Sequence, residues 1–178
     1  MNKQTQRDGT AFARAARGDK LREECGVFGV SLNDATDYAE AAGITYNALL
    51  ALQHRGQEGA GIAVCSGNAI TCRKSVGLVD DVFSSESLMA FPKSGAAVGH
   101  VRYSTTGANT MQNVQPFVTE FLTGRIATVH NGNVTNAGEM REKLEPFGLD
   151  FSATSDSEVI SSLIAYKTLK AGNLLDGA

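Results

Sequence analysis

Cys25 stands at the head of the run Cys25-Gly26-Val27-Phe28-Gly29-Val30, directly after Glu23-Glu24, and offers the most chemistry in the chain. An apolar run this short, with two glycines and a lone thiol in front, reads as a buried strand whose first side chain faces something other than core. Cleavage of the Glu24-Cys25 bond gives one residue both a thiol and a free α-amino group. An α-amino group titrates near ~7.7–8.0, against ~10.4 for lysine, so it takes a thiol proton at neutral pH without a histidine partner. Taken alone, the hexapeptide fits a plain buried core cysteine better. Three further stretches carry polar groups in unusual company. Gln53-His54-Arg55-Gly56-Gln57-Glu58-Gly59-Ala60-Gly61 has three glycines in six residues, which demands a tight loop or a close backbone approach. Their order matches neither the dinucleotide nor the P-loop fingerprint, so a nucleotide cradle is rejected. Gly99-His100-Val101-Arg102-Tyr103-Ser104-Thr105 sets a guanidinium where an apolar run ends, and His130-Asn131-Gly132-Asn133 breaks another.

These residues need elements to hold them. The strand from Cys25 to Val30 comes first. Asn33, Asp34 and Thr36 offer caps to a helix whose stripe is Tyr38, Ala42, Thr45, Leu49 and Leu52. Strands are predicted near Ile62–Cys65, Ala69–Arg73, Ala96–Val101 and Ile126–His130, with a short helix around Ser84–Ala90. Ala108 to Gln115 reads as irregular. Asn136 with Glu139, and Ser155 with Glu158, resemble capping boxes opening two final helices. Asp156 sits in the first turn of the second, where an acid is favourable with no ligand present.

Composition bounds the rest. The chain has 178 residues, 42% hydrophobic and 20% charged, enough for one core, with a net charge of -3 and no basic stripe for nucleic acid or an anionic membrane. No apolar segment approaches the ~18–20 residues of a membrane span. Residues 1–24 carry six basic and four acidic side chains and no serine, fitting a poorly ordered leader rather than a secretory or transit peptide. Three cysteines argue for reduced thiols and a cytoplasmic protein. Cys65 and Cys72 flank a turn signal and are expected to face each other across a hairpin as structural thiols. His54, His100 and His130 have no metal-site spacing. The last residues supply no strand, so the chain looks like a piece of something longer.

Together, Glu24-Cys25-Gly26-Val27-Phe28-Gly29, the Gln53–Gly61 stretch, Gly99–Thr105, His130–Asn133 and Ser155-Asp156-Ser157-Glu158 resemble the class II glutamine amidotransferases, within the N-terminal-nucleophile hydrolases. His54 before Arg55-Gly56, Tyr103 after Arg102 and the lack of tryptophan resemble the branch that feeds ammonia to phosphoribosyl pyrophosphate, making 5-phosphoribosylamine for purine biosynthesis. The glucosamine-6-phosphate synthase branch would carry tyrosine and tryptophan at those places. The likeness runs from about Glu23 to Tyr166.

That resemblance implies an α+β, four-layer αββα fold with two stacked antiparallel sheets, residues 1–24 as a propeptide and 25–178 as a glutaminase domain incomplete at its C-terminus. It implies that Cys25 attacks the glutamine carboxamide with its own α-amino group moving the proton. Arg102 grips the substrate α-carboxylate through its planar fork, Thr105 lines the same pocket, and Asp156 takes the substrate ammonium. Asn131 and Gly132 supply the oxyanion hole, although Asn-Gly reads equally well as a hairpin turn. Arg55 and Gly56 shape the pocket. The phosphoribosyltransferase domain, Mg2+ and any [4Fe-4S] cluster belong beyond residue 178, and the full-length enzyme is a homo-oligomer. Two rivals stand beside this reading: a class II amidotransferase with another ammonia acceptor, and a truncated fragment that binds glutamine without turnover.

Overall fold

The computed structural model describes residues 25–33, 41–103 and 110–172. The leader, Asp34, Thr36, Tyr38 and Thr105 lie outside the described residues.

The apolar runs form strands that pair antiparallel in the order β1 (Gly26–Ser31), β4 (Ala96–Arg102), β2 (Gly59–Ser66), β3 (Ala69–Val76). One helix, α1 (Ala41–Ala51), lies on the face of β1, β4 and β2 and buries Ala42, Thr45 and Leu49, as its stripe predicts. Leu49 is wholly enclosed, a burial that contributes about 1.5–3 kcal/mol.

The other face of this sheet mixes polar, small and apolar residues. Val27 and Gly61 both stand opposite His100, and Lys74 stands opposite Gly61, so the four form one row. Over Gly61 lies the main chain of Gln115 and Pro116. A Cβ built on Gly61 would come 2.1 Å from the Gln115 carbonyl oxygen. The glycines of this stretch thus serve a close backbone approach, and Gly59 and Gly61 lie within β2 rather than in a loop.

Beyond that segment comes a second, two-stranded sheet, β5 (Phe117–Phe121) with β6 (Gly124–Thr128). The long helix α5 (Asp156–Ala171) packs on both strands, and α4 (Ala137–Leu144) packs on α5. The layers therefore run helix, sheet, sheet, helix. Two short helices, α2 (Val79–Val82) and α3 (Ser85–Met89), follow β3. No helix among the described residues is long and apolar enough to cross a membrane.

Several local expectations change. β5 has no counterpart in the sequence reading, because five residues including Glu120 give little alternation to see; Glu120 pairs with Arg125 at 2.7 Å across the hairpin. α2 is likewise new and only one turn long. β6 stops at Thr128, two residues before the expected end, because the main chain of His130 bonds to a side chain instead of a strand. Neither capping box forms as such. Asn136 makes no side-chain cap, and Glu139 pairs with Lys143 at 2.5 Å instead. Ser155 does accept from the Ser157 N–H, but Glu158 accepts from the main-chain N–H groups of Ser152 and Ala153, tying down the preceding loop. Cys65 stands opposite Ile70 and Cys72 opposite Ala63, so the two thiols are diagonal rather than facing, and both are free.

Candidate functional site

The register that sets Gly26 opposite Val101 brings Cys25 to the end of β4, beside Tyr103. The Tyr103 N–H donates to the Cys25 sulfur at 3.3 Å, and the thiol lies the same distance from the Tyr103 carbonyl. The Cys25 carbonyl accepts from the Nε of Arg55 at 3.3 Å and from the side-chain amide of Asn131 at 2.6 Å. Groups separated by as many as 106 residues thus meet on one half-buried cysteine.

Each partner is held by its own element. Arg55 ends the short 3-10 turn after α1, and a Cβ on the next residue, Gly56, would come 2.7 Å from the main chain of Val101 and Arg102. Only glycine lets that turn lie against the end of β4. Arg102 is the last residue of β4 and is 6% exposed; its carbonyl accepts from the Glu58 N–H at 3.0 Å.

Asn131 and Gly132 lie in the loop between β6 and α4, which rules out the hairpin reading: the next element is a helix, not a returning strand. Gly132 has no left-handed φ; a Cβ there would come 2.7 Å from the His130 imidazole, whose ring would have to shift. The far end of the loop is tied to α5, where Asp156 accepts the Val134 N–H at 2.7 Å. In this arrangement the Asn131 amide rests on the Cys25 carbonyl, and Asp156 helps hold the loop.

Behind the loop lies a buried polar layer in which only the histidines drew notice from sequence. Gln115 accepts the His130 N–H at 2.6 Å and donates to both the His130 carbonyl and the Ser157 hydroxyl at 3.0 Å. His130 Nδ1 lies 3.2 Å from the same hydroxyl. Lys74 donates to the Val114 and Pro116 carbonyls, and burial pulls its pKa down. His100 is fully enclosed and its pKa is lowered to about 3, first by burial and then by Arg102, against a smaller opposite pull from the His130 main chain. The only sequence signal for Gln115 is its position before Pro116 at the end of an irregular stretch.

The arrangement sets a half-buried thiol beside the Tyr103 N–H, with the Arg55 and Asn131 donors on the carbonyl of the same residue, a setting in which a sulfur can act as a nucleophile. A metal-based chemistry finds no support in the donor set. Among the described residues no three of His, Cys, Asp and Glu come together, and the Cys65 and Cys72 thiols point to different carbonyls, those of Gly67 and Pro116. These residues do not fit an iron–sulfur cluster or a magnesium ion.

Residues 100–178 match the family model described as a glutamine amidotransferase domain. The chain is 44% identical over 162 residues to amidophosphoribosyltransferase 3, chloroplastic, of Arabidopsis thaliana, covering 91% of this chain and 29% of that protein. It is also 44% identical over 156 residues to the amidophosphoribosyltransferase of Methanothermobacter thermautotrophicus, covering 88% and 32%. A solved structure described as the allosteric regulatory enzyme of purine biosynthesis superposes with a TM-score of 0.68 at 42% identity, over 78% of this chain and 29% of that one. The fold is that of the N-terminal-nucleophile hydrolases, and the chain spans 29–32% of the length of the two curated relatives.

Proposed function

We propose, from a chain that is a relative of the amidophosphoribosyltransferases over roughly a third of their length, that residues 25–178 form a glutaminase domain serving such an enzyme. Residues 1–24 are a propeptide whose removal frees the Cys25 amine. The thiol then loses its proton to that amine, and the sulfur attacks the side-chain carbonyl carbon of glutamine. A tetrahedral oxyanion forms, received by the Asn131 side chain and the Gly132 N–H. The C–N bond breaks as the amine returns its proton, ammonia leaves, and water hydrolyses the thioester to glutamate.

Arg102 binds the α-carboxylate and Asp156 the ammonium of the substrate, while Arg55 and Gly56 fix the cysteine from behind. A buried guanidinium makes a strong charge-assisted pair, because little water competes for the carboxylate. In the whole enzyme the ammonia goes to phosphoribosyl pyrophosphate, giving 5-phosphoribosylamine. That reaction belongs to a further domain, with its Mg2+ and any iron–sulfur cluster, in a cytoplasmic homo-oligomer.

The observation that carries this reading is the meeting of Tyr103, Arg55 and Asn131, from three separate motifs, on Cys25. Glutaminase turnover and glutamine binding, measured on the matured chain and on Cys25→Ser, test it. The expected outcome is turnover in the parent and, in the variant, retained binding with turnover below detection. Ammonia release at the parent rate by Cys25→Ser contradicts the nucleophile, and binding without turnover in the parent marks a binding fragment.

A further inference from the structure

We propose that Gln115 is a positioning residue for the oxyanion turn: its carboxamide fixes the His130 main chain, which keeps the following Asn131-Gly132 pair in place with the Asn131 amide on Cys25. This rests on the function proposed above.

His130 follows the end of β6 and has no strand partner there, yet both its main-chain polar groups are satisfied by one side chain. The orientation of that side chain is fixed by chemistry. An N–H can only donate, so the Gln115 oxygen must face it, and the amide nitrogen then meets the His130 carbonyl and the Ser157 hydroxyl. Gln115 imitates one rung of an antiparallel ladder in the place where the strand has ended.

Gln115 is itself held on both sides. Lys74 binds the carbonyls immediately before and after it, and Gly61 leaves the space in which its main chain lies on β2. Through Ser157 it also reaches the first turn of α5, where Asp156 secures Val134 at the other end of the same loop. The glycine stretch, the His130–Asn133 stretch and the start of α5 therefore converge on Gln115, the first on its main chain and the other two on its side chain, and the residue is 5% exposed. Asparagine is one methylene too short to bridge the gap. Glutamate keeps the acceptor but lacks the donor unless protonated.

The test compares the full chain, matured at Cys25, with Gln115→Leu and Gln115→Glu, by amide hydrogen exchange across residues 130–134 and by glutaminase kcat and KM from pH 5 to 8. In Gln115→Leu, exchange at His130, whose N–H Gln115 accepts, should rise about ten-fold or more as the turn opens locally. In the same variant kcat should fall about 100-fold with KM nearly unchanged, on the scale of a lost oxyanion donor. For Gln115→Glu, kcat relative to the parent should recover as pH falls and the carboxyl gains its proton, a tilt that a purely structural role does not produce. Unchanged exchange in both variants overturns the proposal. Raised exchange with parental kcat keeps the clamp but removes Asn131 and Gly132 from the oxyanion hole, and so counts against the functional reading. Raised exchange with lowered kcat but no acid recovery in Gln115→Glu overturns the donor role of the carboxamide.

Discussion

His100 occupies the middle of the row between Val27 and Gly61, enclosed on all sides. Its pKa of about 3 lies below the ordinary 6.5, so between these values the unfolded chain binds a proton that the native one refuses. Stability is therefore complete above pH 6.5 and falls as pH drops toward 3. Urea unfolding should show a loss of about 2 kcal/mol between pH 7 and pH 5 that His100→Gln lacks. Equal slopes in parent and variant contradict the assignment. A second residue-scale expectation concerns Arg102. Arg102→Lys keeps the charge but not the planar fork, so KM for glutamine should rise roughly ten-fold with little change in kcat, as steady-state kinetics would show. Cys25, Arg102, Asn131 and Asp156 drew notice through the family resemblance; from the residues alone Cys25 reads as a core thiol and Asp156 as an ordinary acid in the first turn of a helix. Gln115 was not legible, since its partners are main-chain atoms and a lone glutamine before a proline carries no periodic signal.

Elements approach one another here through missing side chains, and the glycines divide sharply by what surrounds them. A methyl at Gly61 meets the Gln115 carbonyl, a main-chain atom with no rotamer to change, along with Pro116 and Lys74. Gly61→Ala should cost about 1–3 kcal/mol or more in urea unfolding and also lower kcat, because the segment carrying Gln115 is pushed off β2. Gly43, inside α1, has nothing within 4 Å of a built Cβ. Gly43→Ala should instead stabilise the chain by about 0.5–1 kcal/mol with kcat unchanged. Similar unfolding midpoints for the two variants would contradict the close approach. The four strands of the larger sheet followed from their apolar runs, α1 from its stripe, and α5 from its period with Ser155 as its cap. β5 and α2 did not, being five and four residues long; Cys65 and Cys72 do not face each other because the two-residue Gly67-Asn68 turn pairs Ser66 with Ala69 and therefore Cys65 with Ile70.

At the scale of the whole molecule, the two sheets enclose a polar layer that runs from Lys74 through Gln115 and His130 to Ser157, with Cys25 at its open side. The stacking itself was expected only through the family resemblance, because apolar pattern alone gives mixed α and β without an order of layers. In the function proposed above, this layer holds the loop of Asn131 against Cys25, whose sulfur is to carry its own base. The most direct measurement is N-terminal sequencing, with intact mass, of protein shown to hydrolyse glutamine. The account predicts a first residue of Cys25 and a mass lacking residues 1–24. Full turnover by protein that still begins upstream of Cys25 would leave the thiol without its amine and contradict the proposed chemistry.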